Sequence, residues 1–271
     1  MIEYSPCKIN LGLEIIDKRS DGYHNIESVF YPVPLFDIIE LNRNNSKDFN
    51  YTQSGFIVDT DLKNNLLYKA WSLIQSKYNI GGIDVHLHKQ IPMGAGLGGG
   101  SSNATSLIKM LIKEFEFEIS DIDLHKVTSS LGSDCPFFIN NKAVFAENTG
   151  TDFKETDLNL QGYYIVIVKA DISVSTAEAY GGVKPMAAEY NLQKLQSLQM
   201  KEWESRVVNR FENHIFKLFP ELNDIKKKLY HSGAIYAAMS GSGSAIYGVF
   251  KEQPTQMDFP RDYFVWQGVL G

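Results

Sequence analysis

Residues 92 to 105, Pro-Met-Gly-Ala-Gly-Leu-Gly-Gly-Gly-Ser-Ser-Asn-Ala-Thr, place five glycines and two serines between an apolar, strand-like run and an amphipathic, helical one. That composition suits a loop that wraps phosphate. Gly94, Gly96, Gly98, Gly99 and Gly100 carry no side chain, so the backbone reaches left-handed conformations and its N–H groups come within bonding distance of anionic oxygens. Ser101 and Ser102 are expected to open a helix whose unpaired first-turn N–H groups and positive dipole end favour a polyphosphate.

Three readings compete for these glycines. Gly94, Gly96 and Gly99 satisfy G-x-G-x-x-G, but a dinucleotide fingerprint needs a tight turn straight off a strand, whereas here Pro92 intervenes and no second βαβ unit follows. A Walker A loop needs Lys then Ser or Thr after its last glycine, and no lysine lies in this loop. A plain flexible linker is disfavoured by the well-patterned elements on both sides. A phosphate loop of another kind remains, which implies a bound nucleotide.

The elements that must position this loop can be read from periodicity. Ile9, Leu11, Leu13 and Ile15 alternate with Lys8, Asn10, Gly12 and Glu14, so Lys8 and Asn10 are expected on one face of a strand. Asp21-Gly22 signals a turn, and the apolar stretch from Val29 to Leu41 reads as strand broken by Pro32 and Pro34. A loop over 42–48 precedes a helix marked by Leu66, Leu67, Ala70, Leu73 and Ile74, with Asn64 and Asn65 at its start. Ile83, Val85 and Leu87 return to strand period. After the glycines, Ala104, Leu107, Ile108, Leu111, Ile112 and Phe115 form a helical stripe. Ser120 and Asp123 make a capping box for a helix through Leu131, which Gly132 is expected to end in the left-handed conformation, leaving Ser133 to Pro136 as a tight connection.

The polar residues from Glu147 to Asp157 read as a boundary, giving an N-terminal half 1–150 and a C-terminal half 151–271. Beyond it, Tyr163 to Val168 is a buried strand, 191–231 is largely helical, and Ala234 to Met239, Ala245 to Phe250 and Phe264 to Leu270 are three more strands. This mixture predicts an α+β fold. Ser240-Gly241-Ser242-Gly243-Ser244 joins two of the late strands and, taken alone, reads equally well as an ordinary hairpin turn.

Composition narrows the function classes. The chain has 271 residues, 44% of them hydrophobic, and a net charge of −6, so the wide basic surface that nucleic acid rewards is missing. Two cysteines, Cys7 and Cys135, are too few for a disulfide scaffold and form no C-x-x-C pair, which fits a reducing cytoplasm. No run of 18 or more apolar residues and no signal-like N-terminus supports membrane insertion or export. His86 and His88 have H-x-H spacing, but a third ligand motif is missing and a solvent-facing strand edge explains them better. Lys226-Lys227-Lys228 closes a helix, where cations complement the dipole.

Taken together, Ser5-Pro6-Cys7-Lys8-Ile9-Asn10-Leu11, the 92–103 loop, Ser133-Asp134-Cys135-Pro136-Phe137-Phe138 and Gly241-Ser242-Gly243 resemble the three ordered motifs of the GHMP kinase superfamily, over nearly the whole chain. The resemblance implies a two-domain α+β fold with the active site between the halves. It also implies ATP-dependent phosphoryl transfer with Mg²⁺, for which the sequence offers no dedicated carboxylate cage. Arg19-Ser20-Asp21-Gly22-Tyr23-His24 resembles a cytosine-reading segment within the superfamily, so the implied acceptor is a small molecule, methylerythritol linked to cytidine diphosphate, phosphorylated at its 2-hydroxyl in non-mevalonate isoprenoid synthesis.

By the same resemblance, Asp134 accepts the hydroxyl proton while Lys8 holds that carboxylate and stabilises charge near the nucleophile. Asn65 and Lys89 would contact adenine. Pro92, Met93, Gly94, Ala95, Gly96, Leu97, Gly98, Gly99, Gly100, Ser101 and Ser102 would cradle the phosphates. Tyr23 and Tyr180 would sandwich cytosine with His24 on the base edge, and Asn10 and Thr176 would contact the methylerythritol or diphosphate portion. A loose phosphoryl-transfer transition state needs such charge stabilisation and an oriented hydroxyl. Cys7 and Cys135 stand where the family usually has small or aliphatic residues; thiol modification there would disturb the site, although two small buried hydrophobes are the plainer account. The alternatives are a GHMP relative acting on mevalonate or homoserine, with Tyr23, His24 and Tyr180 merely structural, and a nucleotide-binding regulator without turnover.

Overall fold

The computed structural model describes residues 1–255 and 257–271, and they fall into two compact units, each gathered from three stretches of sequence. The first comprises Met1–Cys7, Leu35–Met93 and Gly98–Asn141; the second comprises Lys8–Pro34, Gly94–Leu97 and Lys142–Gly271. Two long strands, β1 (Ile2–Lys18) and β2 (His24–Arg43), contribute residues to both.

Pro32 and Pro34 do not break β2, contrary to expectation. They fall between Ser28–Phe30, which pairs with β5 (Val144–Glu147), and Ile38–Arg43, which pairs with β4 (Ile83–Lys89). A proline nitrogen is tolerated in a strand where that side of the ladder asks for no donor.

In the first unit, β3 (Phe49–Gly55) and β4 run parallel, joined by α1 (Leu66–Tyr78), so a βαβ unit precedes the glycines. Sequence reading missed β3. Asn65 starts α1 as its cap, its Oδ1 accepting from the Leu67 amide at 2.9 Å. The helix after the glycine loop, α2, spans Gly99–Phe115 and so opens two residues earlier than expected, with Gly98 as a left-handed N-cap. Its apolar stripe packs with α1 and β4 around Leu67, Ala70, Ile74, Leu107, Ile108 and Leu111. Ser120 caps α3 (Asp121–Leu131) through the Asp123 amide, as predicted. Gly132 is extended rather than left-handed, at φ 171°, and a turn over 133–136 leads into α4 (Phe137–Asn140).

In the second unit, the polar residues 147–157 include a strand and a turn. Val144–Glu147 and β6 (Asp152–Glu155) form an antiparallel hairpin, turned by Asn148 and Gly150 at positive φ. A separate four-stranded antiparallel sheet has the order β10-β7-β9-β8, made of β7 (Tyr164–Lys169), β8 (Tyr236–Met239), β9 (Ile246–Phe250) and β10 (Phe264–Val269). A short helix, α5 (Thr176–Gly181), precedes the stretch 191–231, which is broken into 3₁₀ turns at Leu192–Ser197 and Met200–Glu202, α6 (Trp203–Arg206), α7 (Glu212–Leu218) and α8 (Pro220–His231). Ile215, Leu222, Ile225 and Leu229 bury against Val166, Val168, Ile246 and Phe250. No helix among the described residues is long and apolar enough to cross a membrane.

Candidate phosphate-binding loop and acceptor residues

The glycine loop has the backbone its composition calls for. Gly94, Gly96 and Gly98 stand at φ +58°, +71° and +70°, in the region that favours residues without a Cβ. Gly94 and Met93 are exposed, as is Gly100 in the first turn of α2. The N–H groups of Gly99, Gly100 and Ser101 precede the first intrahelical donor, the Ser102 amide, which donates to Gly98 O at 2.9 Å. Left-handed glycines, Gly94 exposed and Gly96 and Gly98 half-buried, followed by a helix N-terminus fit a polyphosphate. Ser102 departs from the expectation of a ligand-facing side chain: it is fully buried, and its hydroxyl bonds that of Ser5 at 2.7 Å.

In the second unit, Gly94–Leu97 lies against the Ser240–Ser244 turn, so this is more than a plain hairpin. Ser244 N donates to Gly94 O at 3.2 Å, Ala245 N to Ala95 O at 3.2 Å, and Ser240 Oγ to Gly96 O at 2.8 Å. A Cβ on Gly96 would sit 1.9 Å from Ser240 O. Two buried side chains that sequence reading missed hold this turn. Asn209 Nδ2 donates to Met239 O at 2.7 Å and Gly241 O at 2.8 Å, and Glu212 Oε1 accepts from Met239 N at 2.7 Å. Lys226 donates to Glu212 Oε2 at 2.6 Å, which gives part of the terminal lysine run a partner within the chain. Burial nevertheless pushes the Glu212 carboxyl above its ordinary range, against the pull of Lys226.

Lys8 and Asn10 share a strand face, as predicted, but that face is buried rather than solvated. Lys8 is 3% exposed, its Nζ donates to Asn10 Oδ1 at 2.6 Å and lies 4.5 Å from the centre of the Phe30 ring. Asn10 Nδ2 donates to Ser28 Oγ at 2.9 Å, so the amide orientation is fixed from both ends.

Asp134 belongs to the first unit, half-buried in the turn between α3 and α4. That turn is tied to α2 by Thr105, whose Oγ1 donates to Cys135 O at 2.8 Å. Cys7 and Cys135 are free and buried, as small hydrophobes would be. Burial raises the Cys7 thiol to about 12 and the Cys135 thiol to about 11.

Lys89 is placed differently from an adenine contact. It is 3% exposed, and its ammonium donates to Asp37 Oδ2 at 2.5 Å and to Ile91 O at 2.8 Å, so its donors point into the protein. Burial lowers its pKa against the pull of Asp37. Asn65 likewise has its side-chain oxygen engaged in capping α1. His86 and His88 lie on an interior strand rather than an edge, where Ser54 Oγ bridges His86 Nε2 and His88 Nδ1, each at 2.9 Å. Among the described residues no group of three or more His, Cys, Asp or Glu is placed to hold a metal ion.

The acceptor-side aromatics are brought together only in part. Tyr23 is 67% exposed beside the Arg19–Asp21 turn, and Asp21 Oδ1 accepts from its amide at 3.1 Å. His24 stacks on Tyr180 with ring centres 4.6 Å apart and planes 19° from parallel, so His24 rather than a second tyrosine covers one Tyr180 face. The Phe211 ring meets Tyr180 edge-on at 4.9 Å. Thr176 opens α5 one turn before Tyr180 and is exposed.

These features define a kinase of the GHMP class. Residues 65–142 match the family described as GHMP kinases N terminal domain, and 188–257 match GHMP kinases C terminal. The chain is 44% identical to 4-diphosphocytidyl-2-C-methyl-D-erythritol kinase of Parabacteroides distasonis over all of both chains, and 41% identical to the Bacteroides thetaiotaomicron protein of the same name, again over the full length of both. A crystal structure of 4-(cytidine 5'-diphospho)-2C-methyl-D-erythritol kinase superposes with TM-score 0.79 at 31% identity, covering 92% of this chain and 90% of that one. Methanococcus jannaschii mevalonate kinase shares the fold at TM-score 0.72 and 15% identity, over 100% of this chain and 98% of its own. The chain belongs to the 4-diphosphocytidyl-2-C-methyl-D-erythritol kinase family.

Proposed function

We propose that the protein transfers the γ-phosphoryl group of ATP to the 2-hydroxyl of 4-diphosphocytidyl-2-C-methyl-D-erythritol, a step of non-mevalonate isoprenoid synthesis. The observation that carries the reading is the run of left-handed glycines ending at the exposed N-terminus of α2, in a chain whose full-length relatives bear that substrate's name. Donors fixed before the nucleotide arrives stabilise the moving charge with little reorganisation.

In this reading Gly94 to Ser101 receive the phosphates, with Pro92 and Met93 leading in and Ser102 anchoring the helix start. Asn65 and Lys89 shape the adenine side through α1 and the end of β4. Asp134 takes the proton of the attacking hydroxyl, and Lys8, steered by Asn10, supplies positive charge. Tyr23 offers a stacking face to cytosine and His24 reads its edge, with Tyr180 and Thr176 on the same acceptor side. Mg²⁺ would come with the nucleotide and supply neutralisation of phosphate charge. The two buried free cysteines suit a reducing cytoplasm.

The test is ADP release with Mg-ATP and three parallel acceptors: the cytidylated methylerythritol, methylerythritol phosphate and mevalonate. Turnover with the cytidylated compound alone supports the reading. Turnover with mevalonate discards the cytosine platform, and nucleotide binding with silence on all three acceptors favours a regulator.

A further inference from the structure

Asp37 is fully buried, yet its carboxylate accepts from four donors. Oδ1 takes the backbone amides of Gln90 at 2.7 Å and Ile91 at 2.8 Å; Oδ2 takes Lys89 Nζ at 2.5 Å and Asn103 Nδ2 at 2.9 Å. The donors come from two places, the last residues before the glycine loop and the second turn of α2 that follows it. One carboxylate therefore ties both ends of the loop. Gly99 marks how closely the two ends approach, because a Cβ there would lie 2.9 Å from Ile91 Cγ2 and 3.0 Å from Lys89 Nζ.

A buried ion pair is seldom an advantage over apolar residues of the same volume, so stability alone is a weak reason for this one. Fixing two backbone amides is something an apolar residue cannot do. We propose that Asp37 is a positioning residue of the nucleotide site, holding Gln90, Ile91 and the start of α2 in register so that the loop presents its N–H groups to ATP. The proposal rests on the reading of Gly94 to Ser101 as the phosphate cradle.

Two double variants separate the anchor from the charge. Asp37→Asn with Lys89→Met removes both charges but leaves an oxygen for the Gln90 and Ile91 amides; Asp37→Leu with Lys89→Met removes the charges and the anchor. With full-length enzyme, KM for ATP and for the cytidylated acceptor are measured alongside thermal melting. The expected result is an ATP KM about tenfold or more higher in the Leu variant than in the Asn variant, which shares its Lys89 change, with the acceptor KM equal in the two. Equal ATP KM values in the two folded variants, or a parallel rise for both substrates, would overturn the proposal. If the Leu variant does not fold, Asn103→Ala takes its place: a threefold or larger rise in ATP KM alone supports the positioning role, and an unchanged value refutes it. Gly96→Ala run in parallel keeps the two readings apart. Loss of ATP use in Gly96→Ala beside a Leu variant that matches the Asn variant sinks only the role of Asp37, whereas normal ATP use in Gly96→Ala sinks the cradle itself.

Discussion

Replacing Gly96 by alanine tests the phosphate loop at its tightest point. At φ +71° an L side chain costs about 1–2 kcal/mol in backbone strain. The new Cβ would also lie 1.9 Å from Ser240 O, 2.8 Å from Ser240 C and 3.2 Å from Gly243 N. Relief requires a shift of about 1 Å or more, the scale of misplacement that costs on the order of 100-fold in rate. Ser240 cannot simply yield. Its amide donates to Ala245 O at 2.9 Å, its carbonyl accepts from Gly243 N at 2.9 Å, and Asn209 grips the carbonyls on either side of it. The loop backbone must move instead, so kcat/KM for ATP should fall about 100-fold. Overpacking adds about 1–3 kcal/mol to the strain, so stability should drop by roughly 2–5 kcal/mol. Gly162→Ala is the control, because Gly162 has φ +85° with open space around it and meets the strain alone. ADP release over an ATP titration, paired with melting curves, reads both effects. A Gly96→Ala enzyme whose kcat/KM stays within threefold of Gly162→Ala would refute the close-approach argument.

Four further outcomes are expected. Asp134→Asn and Lys8→Ala should each lower kcat by about 100-fold or more while ATP affinity stays within about threefold, because both groups act on the reacting hydroxyl rather than the bound nucleotide; near-normal turnover in either would remove that residue from the chemistry. Tyr23→Ala should raise the acceptor KM about 5- to 150-fold, matching the loss of one stacked base, and leave the ATP KM alone, whereas equal changes in both would reject a cytosine platform. With its pKa raised from 9.0 to about 12, the Cys7 thiol should be about a thousandfold less ionised at pH 8 than an ordinary one, and iodoacetamide should label Cys7 and Cys135 only in denaturant, read by mass spectrometry. The raised thiols also set a sign for stability. The folded state keeps protons that the unfolded chain releases above pH 9, so this contribution is intact below pH 9 and declines as pH rises towards 12.

What the sequence disclosed and what it concealed follow from the range of each signal. The helices were legible where a local cap and a stripe coincide, as at Asn65 before α1 and Ser120 before α3. Strand β2 was harder, because Pro32 and Pro34 argue locally for a break and only the partner strands reveal that neither β4 nor β5 is paired there. The β5–β6 hairpin was hidden by its polar turn, where Asn148 takes a positive φ that propensity alone does not assign. At the site, the glycines disclosed their purpose because backbone freedom is a property of one residue. Lys8 and Asn10 disclosed their shared face, but not the burial that gives Lys8 its weight.

Asp37, Asn209 and Glu212 escaped notice because each acts through backbone groups far along the chain. For Asp37 a signal was nevertheless present. Asp37 sits in the inward phase of β2 between Leu35 and Ile39, and Lys89 in the inward phase of β4 after Ile83, Val85 and Leu87. The register Ile38↔His88 places the two charges at the next step of the ladder. A lone charge in the core phase of a strand is costly unless its partner stands opposite, so two strands with one such charge each, of opposite sign, predict their own pairing. The same reasoning gives the pair its place beside the glycines: Lys89 is the last residue of β4, and the loop begins where that strand ends.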